Sequence, residues 1–176
     1  MKEKYHGKFR IKTTRLRNHN YGKEGFYFIT ICTKNRNCFF GEIINGQQIL
    51  SESGQIAEKY WKIIPSKFDY ASLDAFVIMP DHLHGIIHIN KDNRCRDAIY
   101  RVSNKLTGGI TGQKNPMLHN NISRIINWYK GTVTFEARKI NPDFGWQHRF
   151  NDHIIRNQKY LEQKRQYIRD NPANWG

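Results

Sequence analysis

The sequence predicts an α+β fold in which helices pack on a mostly antiparallel sheet. The predicted elements follow one another in the order strand, helix, strand, strand, helix, strand, helix, which is typical of such sandwiches. The 176 residues suffice for one hydrophobic core, and no internal repeat divides them. We therefore expect a single domain over residues 25–176, preceded by a basic N-terminal arm over residues 1–24.

The strand predictions depend on runs of aromatic and β-branched residues. They cover residues 26–33, 39–44, 47–50, 73–79, 82–90 and 146–156. Asn45-Gly46 predicts a hairpin turn, because both central positions of a type I′ turn need positive φ. Pro80-Asp81 separates two of the strands.

Helices are predicted over residues 55–64, 123–139 and 158–171. Ser51 or Ser53 can cap the first helix, and Pro65 lies near its end. The second helix has one apolar stripe, which indicates a buried face and consists of Ile122, Ile125, Ile126, Tyr129 and Val133. Pro172 ends the third helix. Residues 105–121 are rich in glycine and asparagine and are predicted to form a loop.

The charge of the chain favours a polyanionic partner. Subtracting 15 acidic from 29 basic side chains gives +14, and nucleic acid is the commonest polyanion that such proteins bind. An anionic membrane surface would favour a helix with a separate basic face, and none is predicted. The arm contributes four candidate DNA-binding residues, Arg10, Lys12, Arg15 and Arg17. A second basic cluster contains Arg156, Lys159, Lys164, Arg165 and Arg169.

Cysteine usage and hydropathy predict a cytoplasmic protein. Cys32, Cys38 and Cys95 are odd in number and lack C-x-x-C spacing, which argues against disulfides and against a cysteine zinc site. We find no apolar run long enough to span a bilayer, and the N-terminal residues do not resemble a signal peptide.

Two histidines on the strand predicted over residues 82–90 are candidate metal ligands. Side chains alternate faces along a strand, so His82 and His84 project from the same side, with Cα atoms about 6–7 Å apart. His88 shares that face but lies about 13 Å from His84, too far to bind the same ion. An isolated pair of this kind is more often two hydrogen-bonded surface histidines, and a catalytic metal usually has three protein ligands. A third ligand must therefore come from elsewhere.

The last predicted helix has a stripe suited to lining a polar site. Tyr160, Lys164, Tyr167 and Asn171 fall at positions i, i+4, i+7 and i+11 and so share one face. Two tyrosines alone would suit ordinary packing, but a lysine and an asparagine on the same stripe would be unusual in a core. We interpret this face as the lining of a polar site.

Four segments, in their order and spacing, carry a family resemblance. They are YFITICTKNR at 27–36, LDAFVIMPDHLHGIIHI at 73–89, WQHRFNDHIIRN at 146–157 and YIRDNP at 167–172. The chain resembles the bacterial single-tyrosine HUH transposases, in particular the REP-associated tyrosine transposases, over nearly all of its length. The resemblance implies a ferredoxin-like sandwich in which the catalytic tyrosine lies on the C-terminal helix, near the histidine strand.

The resemblance also implies the roles of individual residues. His82 and His84 fit the His-hydrophobic-His motif that binds the metal ion. Tyr167 corresponds to the family's nucleophile, and Asn171, four positions later, corresponds to its third metal ligand. Asp81 departs from the asparagine expected in many relatives between the proline and the first histidine; the position is not a ligand in the family, and an aspartate there would add negative charge near the ion.

The implied activity is metal-dependent cleavage and rejoining of single-stranded DNA, often a hairpin with an unpaired flank. Attack by Tyr167 gives a 5′-phosphotyrosine and a free 3′-hydroxyl, and the reverse reaction joins ends without ATP. A phenol is a weak nucleophile at neutral pH, so the ion must offset the phosphate charge. We expect Mg²⁺, with Mn²⁺ as a substitute, because histidine and asparagine are softer ligands than Mg²⁺ prefers. Lys164, one turn before Tyr167, is placed to favour the phenolate or to bind a phosphate.

Two alternatives remain at the level of the sequence. Ferredoxin-like sheets often bind RNA through exposed aromatic residues without a metal, so the protein can be a non-catalytic nucleic-acid-binding module. It can also be a metal-dependent phosphodiesterase that uses water and forms no covalent intermediate. Tyr129 is a rival nucleophile, but its place on the buried stripe of its own helix argues against it. The protein is expected to act as a monomer or a homodimer, away from membranes.

Overall fold

A four-stranded sheet is the central element of the fold in this computed structural model, which describes residues 4–5, 8–9, 23–90 and 121–175. The strands are β1 (Lys4–Tyr5), β2 (Lys8–Phe9), β3 (Gly25–Cys32), β4 (Gly41–Ile44), β5 (Gln47–Leu50), β6 (Ala71–Met79), β7 (His82–Ile89) and β8 (Asn151–Ile155). The helices are α1 (Glu52–Lys67), α2 (Ile122–Ala137) and α3 (Gln158–Asp170), and a short 3₁₀ turn covers Lys34–Arg36.

The sheet has the strand order β6-β7-β3-β8, and every neighbouring pair is antiparallel. The sequence β3-α1-β6-β7-α2-β8 is the β-α-β-β-α-β arrangement of ferredoxin-like folds. The structure therefore confirms the predicted α+β class. The two smaller pairs, β1-β2 and β4-β5, lie outside this sheet.

The two faces of the sheet have different covers, because side chains alternate along each strand. Odd-numbered residues of β7, such as Leu83 and Ile87, join the main core with α1 and α2. Even-numbered residues face the other way, where Phe28 and Ile86 pack against Leu161 and Ile168 of α3. The histidines at even positions of β7 therefore lie on the face that α3 covers.

Local sequence signals explain most of the element boundaries. Ser51 caps α1 by accepting a hydrogen bond from the Gly54 amide at 3.1 Å, which settles the choice between Ser51 and Ser53. Asn45 and Gly46 adopt φ values of 52° and 71°, as the predicted hairpin turn requires. Asn157 caps α3 through the Tyr160 amide at 2.8 Å.

Several predicted boundaries differ from the structure by a few residues, and two of the differences have an identifiable cause. Helix α1 continues through Pro65 to Lys67, because the missing N–H costs one hydrogen bond near the helix end and the Phe68 amide still bonds to the Ile64 carbonyl. The strand predicted over residues 146–156 is only Asn151–Ile155. Trp146 makes an isolated bridge to Thr33 and packs into an aromatic cluster instead of extending the strand.

Some predicted features lie outside the described residues. They are most of the basic arm, Cys95 and almost all of the loop predicted over residues 105–121. Within the described ranges, none of the helices has the length and hydropathy needed to cross a membrane.

Candidate active site

His82 and His84 form a buried pair at the start of β7. Each residue is 6 % exposed, and both side chains lie on the α3 face of the sheet. Their Nε2 atoms are 3.0 Å apart, and their ring planes make an angle of 76°. The alternation of side chains along the strand thus brings both imidazoles to one point, as the sequence predicted.

The other nitrogen of each ring has a protein partner. His82 Nδ1 lies 2.5 Å from the Asp81 carboxylate, and the other carboxylate oxygen pairs with the Arg36 guanidinium at 2.6 Å. His84 Nδ1 lies 2.8 Å from the Thr30 hydroxyl. Sequence reasoning missed Thr30 and Arg36. Thr30 is found only through the register of β3 and β7, which places it opposite His84.

Burial keeps both imidazoles neutral. It lowers the pKa of His84 to about 3, and the neighbouring His82, Lys164 and Arg36 act in the same direction. Burial also lowers the pKa of His82, although the Asp81 carboxylate partly offsets this effect. Neutral imidazoles carry the lone pair that a metal ion needs.

The donor set fits a metal ion. Two imidazole nitrogens about 2.0–2.1 Å from a tetrahedral ion are about 3.3–3.4 Å apart, within a few tenths of an ångström of the 3.0 Å found here. Hydrogen-bonded partners on the outer nitrogens are the usual support of metal-binding histidines. Within residues 23–90 and 121–175, no group of three or more His, Cys, Asp or Glu side chains is arranged to hold an ion. Among the described residues, a third ligand would therefore have to be a side chain of another type, such as an amide.

Helix α3 brings Tyr167 to this pair. The Tyr167 hydroxyl lies 3.3 Å from His84 Nε2, and its ring makes edge contacts with the rings of His84 and Phe28. The side chain is 47 % exposed, so one side remains open to an incoming group. Three polar atoms therefore meet at one point: the hydroxyl of Tyr167 and the two Nε2 atoms.

Asn171 lies at the C-terminal end of α3, one turn after Tyr167, and is half-buried. Four residues further on, the Trp175 ring stacks on the His82 ring with centroids 6.0 Å apart. Asn171 therefore lies in the chain between Tyr167, which contacts His84, and Trp175, which contacts His82. Within the described residues, its side chain makes no hydrogen bond to either histidine. Its predicted role as a metal ligand stays a prediction.

Lys164 lies among three aromatic rings. Its ammonium nitrogen is 4.5 Å from the Phe28 ring centroid, 5.3 Å from that of Tyr160 and 5.4 Å from that of Tyr167. Such contacts hold a cation over the faces of aromatic rings. The predicted stripe of Tyr160, Lys164 and Tyr167 thus shares one face of α3. The other predicted DNA-binding residues, Arg10, Lys12, Arg15 and Arg17, lie outside the described residues.

Tyr129 is buried as predicted. Its ring is fully enclosed between Trp61 and Trp146, and its hydroxyl donates to the Ala57 carbonyl at 3.1 Å. Burial raises the pKa of the Tyr129 hydroxyl well above its usual value. No substrate can reach this hydroxyl without opening the core.

Comparisons with known proteins agree with this description. No family model matches the chain. An uncharacterized protein of Haemophilus influenzae strain Rd is 40% identical over 167 residues, which are 93% of this chain and 89% of that protein. The solved structure of a REP-associated tyrosine transposase bound to a REP hairpin is similar with a TM-score of 0.60, at 20% identity, over 92% of this chain and 73% of that one. This likeness confirms, at the level of the fold, the predicted resemblance to REP-associated tyrosine transposases. The chain therefore belongs to the same family as the Haemophilus influenzae protein and has the fold of the REP-associated tyrosine transposase.

Proposed function

We propose that this protein is a DNA transposase that cleaves and rejoins single-stranded DNA through a covalent bond to Tyr167. The observation that carries the proposal is the 3.3 Å distance between the Tyr167 hydroxyl and His84 Nε2, which lies 3.0 Å from His82 Nε2. A nucleophile and a pair of potential metal ligands thus meet on the α3 face of the sheet, where Tyr167 is partly exposed. The fold shared with the REP-associated tyrosine transposase supports the same function.

The residues can perform this chemistry as follows. The Tyr167 oxygen attacks the phosphorus of a DNA phosphodiester and forms a phosphotyrosine ester at the 5′ end. The bond from phosphorus to the 3′ oxygen breaks, that oxygen takes up a proton, and the tyrosine proton passes to solvent. A 3′-hydroxyl that attacks the ester reverses these steps and joins two DNA ends. The ester keeps the energy of the broken bond, so no nucleotide cofactor is consumed.

His82 and His84 would hold a divalent ion, with Asn171 as a candidate third ligand. When bound, Mg²⁺ or Mn²⁺ neutralises charge on a phosphate oxygen and orients the phosphorus. The protein's own part is to keep both histidines neutral and in place and to aim Tyr167 at the same point. Lys164, held 5.4 Å from the Tyr167 ring centroid, adds a positive charge that suits a phosphate.

We propose a DNA hairpin with an unpaired flank as the substrate. The similar transposase is bound to a REP hairpin in its solved structure, which supports this choice. The net charge of +14 supports a nucleic-acid partner in general.

The decisive test replaces Tyr167 by phenylalanine. The wild-type protein, incubated with Mg²⁺ and an end-labelled hairpin from beside its own gene, should cleave the strand and give a protein–DNA adduct on a denaturing gel. Tyr167→Phe should give neither product, because the change removes the attacking oxygen and little packing.

Tyr129→Phe is the matched control, since it removes a hydroxyl from a buried tyrosine across the sheet. It should cleave DNA and form the adduct as the wild type does. If Tyr167→Phe still cuts, a water-using phosphodiesterase is the better description. If the wild type binds the hairpin without cutting it, the protein is a binding module.

A further inference from the structure

The two histidines have chemically different partners on their outer nitrogens. Asp81 presents a carboxylate oxygen to His82 Nδ1, and a carboxylate can only accept a hydrogen bond. Thr30 presents a hydroxyl to His84 Nδ1, and a hydroxyl can accept or donate.

His82 is fixed in one neutral form. Because Asp81 accepts, the His82 proton lies on Nδ1 and the Nε2 lone pair points into the site. The Arg36 guanidinium pairs with the other carboxylate oxygen at 2.6 Å, and the Thr33 amide donates to the Asp81 main-chain carbonyl at 2.9 Å. These contacts hold the carboxylate in the orientation that His82 requires.

If both imidazoles are neutral and share a hydrogen bond, His84 carries its proton on the inner nitrogen in the metal-free protein. The two Nε2 atoms are 3.0 Å apart, and a hydrogen bond at this distance needs one proton between them. His82 Nε2 has none, so His84 Nε2 donates and His84 Nδ1 accepts from Thr30. A metal ion requires lone pairs on both Nε2 atoms, so the His84 proton must move to Nδ1 when an ion binds. The Thr30 hydroxyl can then rotate and accept it.

We propose that Asp81 and Thr30 are positioning residues with distinct tasks: Asp81 fixes His82 in its metal-binding form, and Thr30 lets His84 exchange between its two neutral forms. This inference rests on the proposed metal site. Thr30 would let the two histidines share a hydrogen bond when no metal is bound and coordinate the ion when it binds.

The test measures Mn²⁺ affinity of the full chain without DNA, from the electron paramagnetic resonance signal of free Mn²⁺. Thr30→Val keeps the shape of the side chain but cannot accept the Nδ1 proton, and it should bind Mn²⁺ about tenfold more weakly. Thr30→Ser restores the hydroxyl and should stay within about twofold of the wild type. Asp81→Asn should lose about tenfold to a hundredfold, because an amide group can donate to Nδ1 and move the His82 proton inward.

Thr134→Val is the control, because Thr134 bonds to the Lys130 carbonyl on α2, across the sheet. It should leave the affinity unchanged. Nitrogen-15 spectra of the histidine rings give a second readout. In the metal-free protein His82 should be protonated on Nδ1 and His84 on Nε2, and Mg²⁺ should move the His84 proton to Nδ1.

The outcomes separate this inference from the proposed function. If the wild type binds no Mn²⁺, or if His82→Ala with His84→Ala binds it equally well, the metal site itself is refuted. If those histidines matter but Thr30→Val equals the wild type, or His84 already carries its proton on Nδ1 without metal, only the inference about Thr30 is overturned. If Asp81→Asn binds Mn²⁺ as the wild type does, the task assigned to Asp81 is overturned.

Discussion

Gly85 is a position of the histidine strand β7 that has no room for a side chain. It lies between His84 and Ile86 on β7 and faces the main core, where Trp61 of α1 packs directly on it. A Cβ atom at this position would lie 2.3 Å from Trp61 Cζ2 and 2.9 Å from Trp61 Cε2. Trp61 is fully buried and cannot move aside. The close approach of α1 to the histidine strand therefore depends on a missing side chain.

We predict that Gly85→Ala destabilises the protein. Because the new methyl group overpacks a closed core, the free energy of unfolding should fall by about 1–3 kcal/mol, as measured by urea unfolding. Gly131→Ala is the control, since nothing lies within 4 Å of its Cβ position on α2. That change should raise the free energy of unfolding by about 0.5–1 kcal/mol. Equal effects of the two changes would contradict the account of Gly85.

The face on which a residue lies could be predicted from sequence where the repeat of a strand or a helix determines it. The alternation of a strand was enough to place His82 and His84 on one face, and the helical period was enough to bury Tyr129. Thr30 and Arg36 could not be found in this way. Their contacts depend on the pairing register of β3 with β7 and on a 3₁₀ turn with two left-handed residues, Asn35 and Arg36.

Helix α3 is the element whose docking completes the site, and an ion pair fixes it to the sheet. Arg165 donates from Nε to one oxygen of Asp74 at 2.9 Å and from a terminal nitrogen to the other at 2.6 Å. Asp74 lies at the irregularity of β6, where the register shifts between Leu73 and Phe76 and turns the carboxylate toward α3. The β-bulge in β6 thus positions the carboxylate to which α3 is bound through Arg165.

The stability contributed by this pair should depend on pH. Hydrogen bonds from Arg165 hold the pKa of Asp74 below its ordinary value of 3.8. A carboxyl whose pKa is lowered on folding adds stability above its unfolded pKa and loses it as the pH falls through the folded pKa. Asp74→Asn should therefore be less stable than the wild type by about 1–2 kcal/mol at pH 7, and the difference should shrink below about pH 4.

Urea unfolding of both proteins at pH 7, 5 and 3 checks this expectation. Glu58→Gln provides the comparison, because Glu58 makes an exposed pair with Lys62 at 2.9 Å on α1. It should change the stability by less than about 0.5 kcal/mol at every pH. A gap between Asp74→Asn and the wild type that is as large at pH 3 as at pH 7 would show that the carboxylate charge is not its source.

Elements were predictable where caps and turns mark their ends, and less so where composition alone was used. The hairpin at Asn45 and the cap at Ser51 depend on the backbone conformation of one or two residues, which sequence reveals directly. Trp146 and its neighbours resemble a strand in composition, yet the Trp146 indole donates to the Lys130 carbonyl and packs on Phe40. An aromatic run indicates burial, and burial occurs in strands and in packed loops alike.

For the molecule as a whole, net charge is the property that sequence alone determines. If DNA is the partner, affinity should fall steeply with salt, with a slope of about −0.7 per phosphate contact on single strands. Residues 1–17 carry a positive cluster opposed only by Glu3, and it consists of Lys2, Lys4, Lys8, Arg10, Lys12, Arg15 and Arg17. A variant in which Arg10, Lys12, Arg15 and Arg17 are all replaced by glutamine should show a weaker dependence of DNA affinity on salt.

Hairpin binding measured by fluorescence anisotropy at several salt concentrations gives this slope. The matched control changes four exposed lysines on the far side of the sheet to glutamine, namely Lys59, Lys62, Lys67 and Lys139. These changes should leave the slope close to that of the wild type. An unchanged slope in the arm variant would place the arm away from the DNA.

The family resemblance predicted that Tyr167 lies near the histidines, whereas the periodicity of the sequence did not. Residues near positions 30, 82 and 167 form one site only because β3 pairs with β7 and α3 returns across the same face. Periodicity describes each segment separately and contains no information on which faces oppose each other. The family motifs supplied the expectation that Tyr167 lies near the histidines, and the structure places them 3.3 Å apart at their closest polar atoms.

Helix α3 buries fewer of its residues than α2 does, although the Arg165–Asp74 ion pair also holds it to the sheet. Two of its residues, Leu161 and Ile168, are buried, whereas α2 buries seven. Local opening of a segment requires less free energy when it exposes less apolar surface. Helix α3 can therefore undock in excursions that leave the sheet, α1 and α2 folded. Such an opening would separate Tyr167 from the histidine pair while the strand that carries the pair stays paired in the sheet.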